Sequence, residues 1–234
     1  GASLRSPGVR EQLNPQDGLY TLVVHDGSDD HLRVIGACAG VMVGPDDPAA
    51  LVAAMADADV HIVTLTVTEK GYRLDPATGD LLLSDADVSA DLVDIAAPRT
   101  APGFIVAALQ ARRAAGRKPF TVISCDNLPH NGKRIRAGVI AMARRIDLSL
   151  ADWIEAEGAF PQTMIDRIVP ATTSDDIVRL TARLGVEDRG MVKAEPFTQW
   201  VIEDRFAGDR PDFASLGVQL TDAVEPWEDA KLRL

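Results

Sequence analysis

Cysteine is nearly absent from this chain. Of 234 residues only Cys38 and Cys125 carry thiols, and both sit in apolar, strand-like surroundings. A disulfide scaffold needs more, so both are read as reduced thiols. Aromatic residues are also scarce, at 5%, and nowhere do they interleave with a basic stripe. Positive charge is in deficit: 24 Lys and Arg against 35 Asp and Glu leave a net charge of −11. Such a surface disfavours a nucleic-acid backbone as partner. Long apolar runs are missing too, and none approaches the ~20 residues of a membrane span. The opening Gly-Ala-Ser-Leu-Arg-Ser-Pro lacks the apolar core of a signal peptide. Metal-ligand spacing is lacking as well: His25, His31, His61 and His130 are scattered, with no Cys-x-x-Cys or His-x-x-x-His. The expectation is a cytoplasmic protein with no membrane, nucleic-acid or metal partner.

What remains is ordinary globular material, 46% hydrophobic and 25% charged, enough to bury a core. Residues 19–24 read as a strand, a polar turn follows at 26–30, and His31 to Val43 holds one or two more strands. Asp47 caps and Pro48 opens a helix to about Ala58, with Leu51, Val52 and Met55 on one face. The β-branched run 60–67 predicts a central parallel strand covered on both faces. A helix over 103–115, closed by Gly116, leads to a short strand, 120–124, and then to a helix over 132–146. Ile135, Val139, Met142 and Ile146 recur there at helical spacing. Ser149 is expected to cap a helix containing Trp153, and Thr173 or Ser174 one that ends at Gly185. A strand follows near Gln199–Ile202, and Glu225 onward reads as a helix start. This order predicts an α/β fold, a mostly parallel sheet with helices on both faces and right-handed crossovers.

Ligands bind such sheets outside the carboxyl ends of the strands, which selects two loops. The first, Thr66-Val-Thr-Glu-Lys-Gly-Tyr72, offers two hydroxyls, an acid–base pair and a flexible glycine. It reads equally as an ordinary turn. The second, Ser124-Cys-Asp-Asn-Leu-Pro-His-Asn-Gly132, offers helix-start N–H donors and an Asn127 amide able to steady an alkoxide. The other reading makes Asp126 and Asn127 turn formers and Asn131 a helix cap. Cys125 as a nucleophile beside His130 would make the protein a hydrolase, but no third group orients that histidine. Lys231 stands among Trp227, Leu232 and Leu234, where burial would lower its pKa toward the range of a general base. Glu228, one helical turn earlier, could pair with it or relay its proton, although both could also be a solvent-facing pair.

At these residues the sequence resembles a known family. Thr68-Glu-Lys-Gly-Tyr72, Ser124-Cys-Asp-Asn127 with Pro129 and Asn131-Gly132, and Asp166-Arg-Ile-Val-Pro170 are similar to the mannitol dehydrogenase family. So are Glu195-Pro-Phe, Gln199-Trp-Val-Ile-Glu-Asp204 and Lys231-Leu-Arg-Leu234. The matches run in order from Pro15-Gln-Asp-Gly-Leu-Tyr20 to Leu234 and are specific together, though not singly. The family comprises long-chain, metal-independent polyol dehydrogenases, including mannitol 2-dehydrogenases and fructuronate reductases (mannonate oxidoreductases). The resemblance implies an NAD(P)-binding Rossmann-type domain over residues 1–220 and the start of a helical substrate domain over 221–234. It implies Lys231 as the general base, Asn127 as holder of the substrate oxygen, and Asp166 in a supporting role; Glu228 is kept as a second supporting residue on its spacing from Lys231.

Two departures shape the remaining expectations. The family's opening strand and glycine-containing turn, ending near Phe-x-Arg-Ala-His, has no counterpart here, nor do the second asparagine and histidine beyond the lysine. The chain is therefore expected to be a cofactor domain without its first βα unit, followed by the opening turns of a substrate domain. The expected cofactor contacts are Arg5, Thr66, Thr68, Glu69, Lys70, Ser124, Cys125, Asp126 and Asn127. NAD is expected first, with NADP admitted because Arg5 stands where a ribose-reading residue would. The leading reading is hydride transfer between NAD(P) and a secondary alcohol of a sugar alcohol or sugar acid. The alternative is a domain that binds dinucleotide and turns nothing over by itself.

Overall fold

The computed structural model describes residues 1–27 and 29–231. In chain order its strands are β1 (Ala2–Ser3), β2 (Tyr20–His25), β3 (Asp30–Ile35), β4 (Met42–Val43) and β5 (Ile62–Leu65). They continue with β6 (Thr121–Ser124), β7 (Thr163–Asp166), β8 (Val192–Ala194), β9 (Gln199–Glu203) and β10 (Gln219–Thr221). The helices are α1 (Gly8–Leu13), α2 (Pro48–Met55), α3 (Ala86–Val93), α4 (Ala101–Ala114) and α5 (Asn131–Ile146). After them come α6 (Leu148–Glu157), α7 (Ser174–Leu184) and α8 (Glu225–Lys231). Two compact units result, one from Gly1–Asp46 with Asp166–Thr198, the other from Asp47–Ile165 with the segment that starts at Gln199.

In the first unit β2 is central, antiparallel to β3 and parallel to β8. The β2–β3 hairpin turns where Asp26 Oδ1 accepts the Asp29 N–H, as the polar run predicted; Ser28 lies outside the described residues. Alternation along β2 buries Val23 against Leu180 and Met191, with Leu32 and Ile177 alongside. The buried Asp188 carboxylate joins three segments by accepting from Thr21 N, Gln16 Nε2 and Gly190 N. Thr173 caps α7 in a reciprocal box with Asp176, and Gly185 ends it in the left-handed region at φ 75°.

The second unit packs helices around β6. Its four residues are all buried, and it pairs in parallel with β5 and bridges to Ala159. Ile135, Val139 and Met142 on α5 are fully buried in the same core as Ile105 and Leu109 of α4 and Leu150 and Ile154 of α6. Each such side chain stabilises the fold by roughly 1.5–3 kcal/mol relative to exposure. Ahead of α4 the buried Asp91 carboxylate accepts from Arg99 N, Thr100 N and Thr100 Oγ1. Gly103 leaves it room, since a Cβ there would lie 2.0 Å from Asp91 Oδ2.

Several expectations need correction. The 60–67 run forms a strand only over Ile62–Leu65, half-buried with Thr64 exposed. The fully covered strand is β6, buried at all four positions, whereas Val63 and Leu65 of β5 reach the same core only half-buried. The helix opened by Pro48 ends at Met55, short of Ala58. Asp147, not Ser149, caps α6, accepting from Ser149 N and Leu150 N. Helix α3, capped by Asp85 through the Asp87 and Val88 N–H groups, went unread although a capping aspartate announces it. Among the described residues no helix is long and apolar enough to cross a membrane.

Asp176 supplies a test of the first unit. It is 7% exposed and accepts from Lys193 Nζ at 2.5 Å, from Arg179 at 2.5 Å and from Thr173. Lys193 first, then the Thr173 N–H, hold its carboxyl well below its usual 3.8. A depressed carboxylate contributes stability above its unfolded pKa, and that contribution fades as pH falls through the folded value. Asp176→Asn is therefore expected to lower Tm at neutral pH, with the gap to wild type closing below about pH 4. Thermal melts across pH 2–7 would show it, and a pH-independent gap would refute the assignment.

Candidate active site

Strands β5 and β6 run parallel, so their carboxyl ends share one edge. The last ladder bond there joins Cys125 N to Leu65 O at 2.6 Å, after which the two chains diverge into the loops singled out above. Beyond β5, Thr68 precedes a 3-10 turn over Glu69–Tyr72. Gly71 is required in that turn, because a Cβ would lie 2.7 Å from the Cβ of Val67. Thr66, Thr68, Glu69 and Lys70 are all exposed. Tyr72 turns inward, 1% exposed, and its hydroxyl donates to Asp126 Oδ2 at 2.5 Å. Burial, then that hydrogen bond, push the phenol above its ordinary range, so it remains a donor that ties one loop to the other.

The second loop contains the turn former that its sequence allowed. Asp126 is a turn former, its Oδ1 accepting from Leu128 N. Asn131 is not a cap. His130 fills that place with φ 58°, while Asn131 is fully buried. Its Nδ2 donates to Thr163 O at 3.0 Å, Thr163 Oγ1 at 3.1 Å, Ser124 O at 3.3 Å and Asp126 O at 3.4 Å. Its Oδ1 accepts from Gly132 N and Thr163 N. Thr163 Oγ1 in turn donates to Ser124 O. Gly132 permits this close fit, since a Cβ there would lie 2.5 Å from both Phe160 O and Pro161 O.

Helix α8 packs onto this edge through polar ties at its start. Glu225 Oε1 accepts from Lys133 Nζ at 3.1 Å and from Gln162 Nε2 at 3.0 Å. Its own backbone N–H, then Lys133, hold its carboxyl below the ordinary range. Trp227 packs against the cluster of Met164, Val201 and Val224. Glu228 Oε1 accepts from His130 N at 3.2 Å, a bond to the loop backbone that its spacing from Lys231 did not foretell. At the end of the helix Lys231, half-buried, donates to Asn127 Oδ1 at 3.0 Å and to Ile165 O at 2.5 Å. Leu232 and Leu234, part of its expected apolar setting, lie outside the described residues.

The structure thus brings Lys231, Asn127 and Glu228 to one edge. Ser124 anchors that edge from within, at 0% exposure, so its side chain faces the core instead of a ligand. Cys125 is half-buried, and burial, then the Asp126 carboxylate, push its thiol up to about 12. A thiol held protonated in this way is a poor nucleophile at neutral pH, which removes the hydrolase reading. Asp166, half-buried, ends β7 next in the chain to Ile165. Arg5 is exposed and belongs to the first unit, its N–H donating to Ser3 Oγ at 3.4 Å. Among the described residues no three His, Cys, Asp or Glu side chains group as a metal site. The contributions of Gln162, Thr163, Ile165 and Lys133 had escaped sequence reasoning. Ile165 acts through a carbonyl that no side chain reports, and the others carry no motif.

The chain resembles proteins of known kind over nearly its whole length. It is 44% identical over 230 residues to a mannitol 2-dehydrogenase of Pyrenophora tritici-repentis, covering 97% of this chain and 41% of that protein. It is 42% identical over 231 residues to a polyol:NADP oxidoreductase of Gluconobacter oxydans, covering 98% and 48%. The solved structure of Pseudomonas fluorescens mannitol 2-dehydrogenase, a ternary complex with NAD and D-mannitol, superposes with a TM-score of 0.94 at 41% identity. That match covers 99% of this chain and 48% of the other. The chain therefore spans less than half the length of these proteins. The mannitol dehydrogenase Rossmann domain model matches residues 1–215, and on that match the chain belongs to the mannitol dehydrogenase family.

Proposed function

We propose that the protein is an NAD(P)-dependent polyol or hexuronate oxidoreductase that uses Lys231 as general base and needs no metal. The observation that carries this reading is the Lys231 amine held between Asn127 Oδ1 and the Ile165 carbonyl, beside the carboxyl ends of two parallel strands. Residues 1–220 would form the dinucleotide-binding domain, and the helix beginning at Glu225 would open the substrate domain. The donor set at the strand ends suits a nicotinamide ribose and carboxamide: the Thr66 and Thr68 hydroxyls, the Lys70 ammonium and the Asn127 amide, all exposed. Glu69, Cys125 and Asp126 belong to the same two loops. Arg5 remains the candidate ribose-reading residue. NAD is the first choice, and the likeness to a polyol:NADP oxidoreductase supports NADP as the alternate.

Bound NAD would supply the hydride acceptor. The chain's own part is to hold the alcohol and manage its proton. As a neutral base, Lys231 has two N–H bonds to donate, to Asn127 Oδ1 and Ile165 O, which keeps the Asn127 amide with Oδ1 toward the lysine and Nδ2 away and leaves the nitrogen lone pair for the hydroxyl proton. Nδ2 can then donate to the substrate oxygen, and that bond strengthens as alkoxide character grows. The Lys231 amine takes the hydroxyl proton while the carbon-bound hydrogen leaves with its electron pair, giving the ketone. Substrates are secondary alcohols of the mannitol/fructose or mannonate/fructuronate type, and Asp166 supports the site. A cytoplasmic location is part of the same proposal.

In the full-length protein Lys231→Ala is expected to lower kcat by at least ~100-fold while cofactor affinity changes little. Activity within tenfold of wild type would remove Lys231 from the mechanism. Asn127→Ala is expected to raise the barrier by roughly 3 kcal/mol, and Asn127→Asp by more, because a carboxylate repels the alkoxide. Equal, small effects on kcat would reduce Asn127 to a turn residue. Prolonged dialysis of the full-length protein against a strong chelator should leave polyol oxidation intact. A loss that zinc restores would contradict the metal-independent mechanism.

A further inference from the structure

The Lys231 reading leaves one question open: what keeps the two oxygens that receive the amine at a fixed separation. Asn127 lies in the loop after β6, whereas Ile165 lies on β7, far away in sequence. Neither oxygen is on the helix that carries Lys231, so three separate segments must agree. Among the described residues the Asn131–Thr163 pair is the buried polar group that joins the first two. Asn131 grips its own loop on both sides of Asn127, through Ser124 O, Asp126 O and the Gly132 N–H. It grips β7 through Thr163 N, O and Oγ1. Thr163 returns a bond to Ser124 O from its own hydroxyl. Both side chains are buried, at 0% and 1% exposure, so neither touches substrate or cofactor.

We propose that Asn131, with Thr163, is a positioning residue of the reaction: it sets the distance between the Asn127 amide and the Ile165 carbonyl and so aims the Lys231 amine. The inference rests on the reading of Lys231 as general base. The chemistry favours an asparagine at this point. One amide presents an acceptor to two N–H groups and two donors to three carbonyls and a hydroxyl, and no other side chain of that size offers both. An aspartate would fit the space but set a carboxylate against three carbonyl oxygens. A helix-capping residue, by contrast, would bond only to its own helix, whereas half of these bonds reach across to β7. Buried groups so engaged have little slack, and a displacement near 1 Å at a reacting group costs up to ~100-fold in rate.

The test uses the full-length protein turning over NAD and a polyol. Asn131→Asp, Thr163→Val and Thr163→Ser are compared with wild type and Lys231→Ala for kcat, KM, pH profile and Tm. Thr163→Val and Asn131→Asp are expected to lower kcat about 10- to 100-fold, with cofactor KM little changed. The limb of the pH–rate profile that Lys231→Ala abolishes is expected to move in both. Thr163→Ser, which keeps the hydroxyl, should restore rate and profile. If Asn131→Asp does not fold, the Thr163 pair decides alone. Wild-type kcat and an unmoved pH profile in Thr163→Val would overturn the positioning role, as would a fall in Tm and rate that Thr163→Ser fails to rescue. An active Lys231→Ala would instead sink the general-base reading and this inference with it. An inactive Lys231→Ala beside fully active Thr163→Val would sink the inference alone.

Discussion

Where a parallel ladder ends, the strands leave each other with backbone groups unspent, and a buried carbonyl or N–H without a partner costs about 1–3 kcal/mol. At the edge formed by β5 and β6 that obligation falls largely on one side chain. The Asn131 amide takes up Ser124 O and Asp126 O on one side and the Thr163 backbone on the other. Gly132 makes the arrangement feasible, because only a residue without Cβ lets α5 begin directly beneath the Phe160 and Pro161 carbonyls. The loop bearing Asn127 therefore departs from a fixed base. Tyr72 adds a second tie through Asp126, linking the loop after β5 to the same base.

Helix α8 depends on that base in turn. Among the described residues its apolar contribution is modest, essentially Trp227 against Met164, Val201 and Val224. Polar contacts place it: Glu225 with Lys133 and Gln162, Glu228 with the His130 N–H, and Lys231 with Asn127 and Ile165. Partly exposed pairs of this kind add little stability singly. Their directionality nevertheless selects one seating of the helix, and that seating delivers the lysine to the strand ends. The first unit is built on another plan, a mixed sheet whose central strand is held by the buried Asp188 carboxylate and whose β8 is held to α7 by that of Asp176.

Much of this was legible from residues with strong local signatures. The capping of α2 by Asp47 and of α7 by Thr173, the end of α7 at Gly185, and the apolar face of α5 depend on near neighbours in the chain, whereas α4 is capped by Ala115, one residue before the expected Gly116. The quoted runs around Tyr72, Asn127 and Lys231 located the candidate site, because loops at strand ends combine polar side chains with glycine. Less legible was any role that depends on which segments meet. The β-branched 60–67 run suited a central buried strand, yet coverage depends on what packs against it, and β6 is the strand buried throughout. Glu228 was expected beside Lys231 from spacing alone, whereas its carboxylate went to a backbone N–H of another segment.

The sequence by itself determined the α/β succession, the two loops at the strand ends, the family likeness and the choice of Lys231 and Asn127 as candidates, because each rests on short-range periodicity or on the wording of a motif. Tertiary structure alone decided that Asn131 turns inward instead of capping its helix, that Ile165 contributes through its carbonyl, and that burial raises the Cys125 thiol out of reactivity. The reason is common to all three. Hydrogen-bond partners and desolvation are set by residues distant in the chain, and a side chain's type fixes what it can donate or accept but not what the fold will place in front of it.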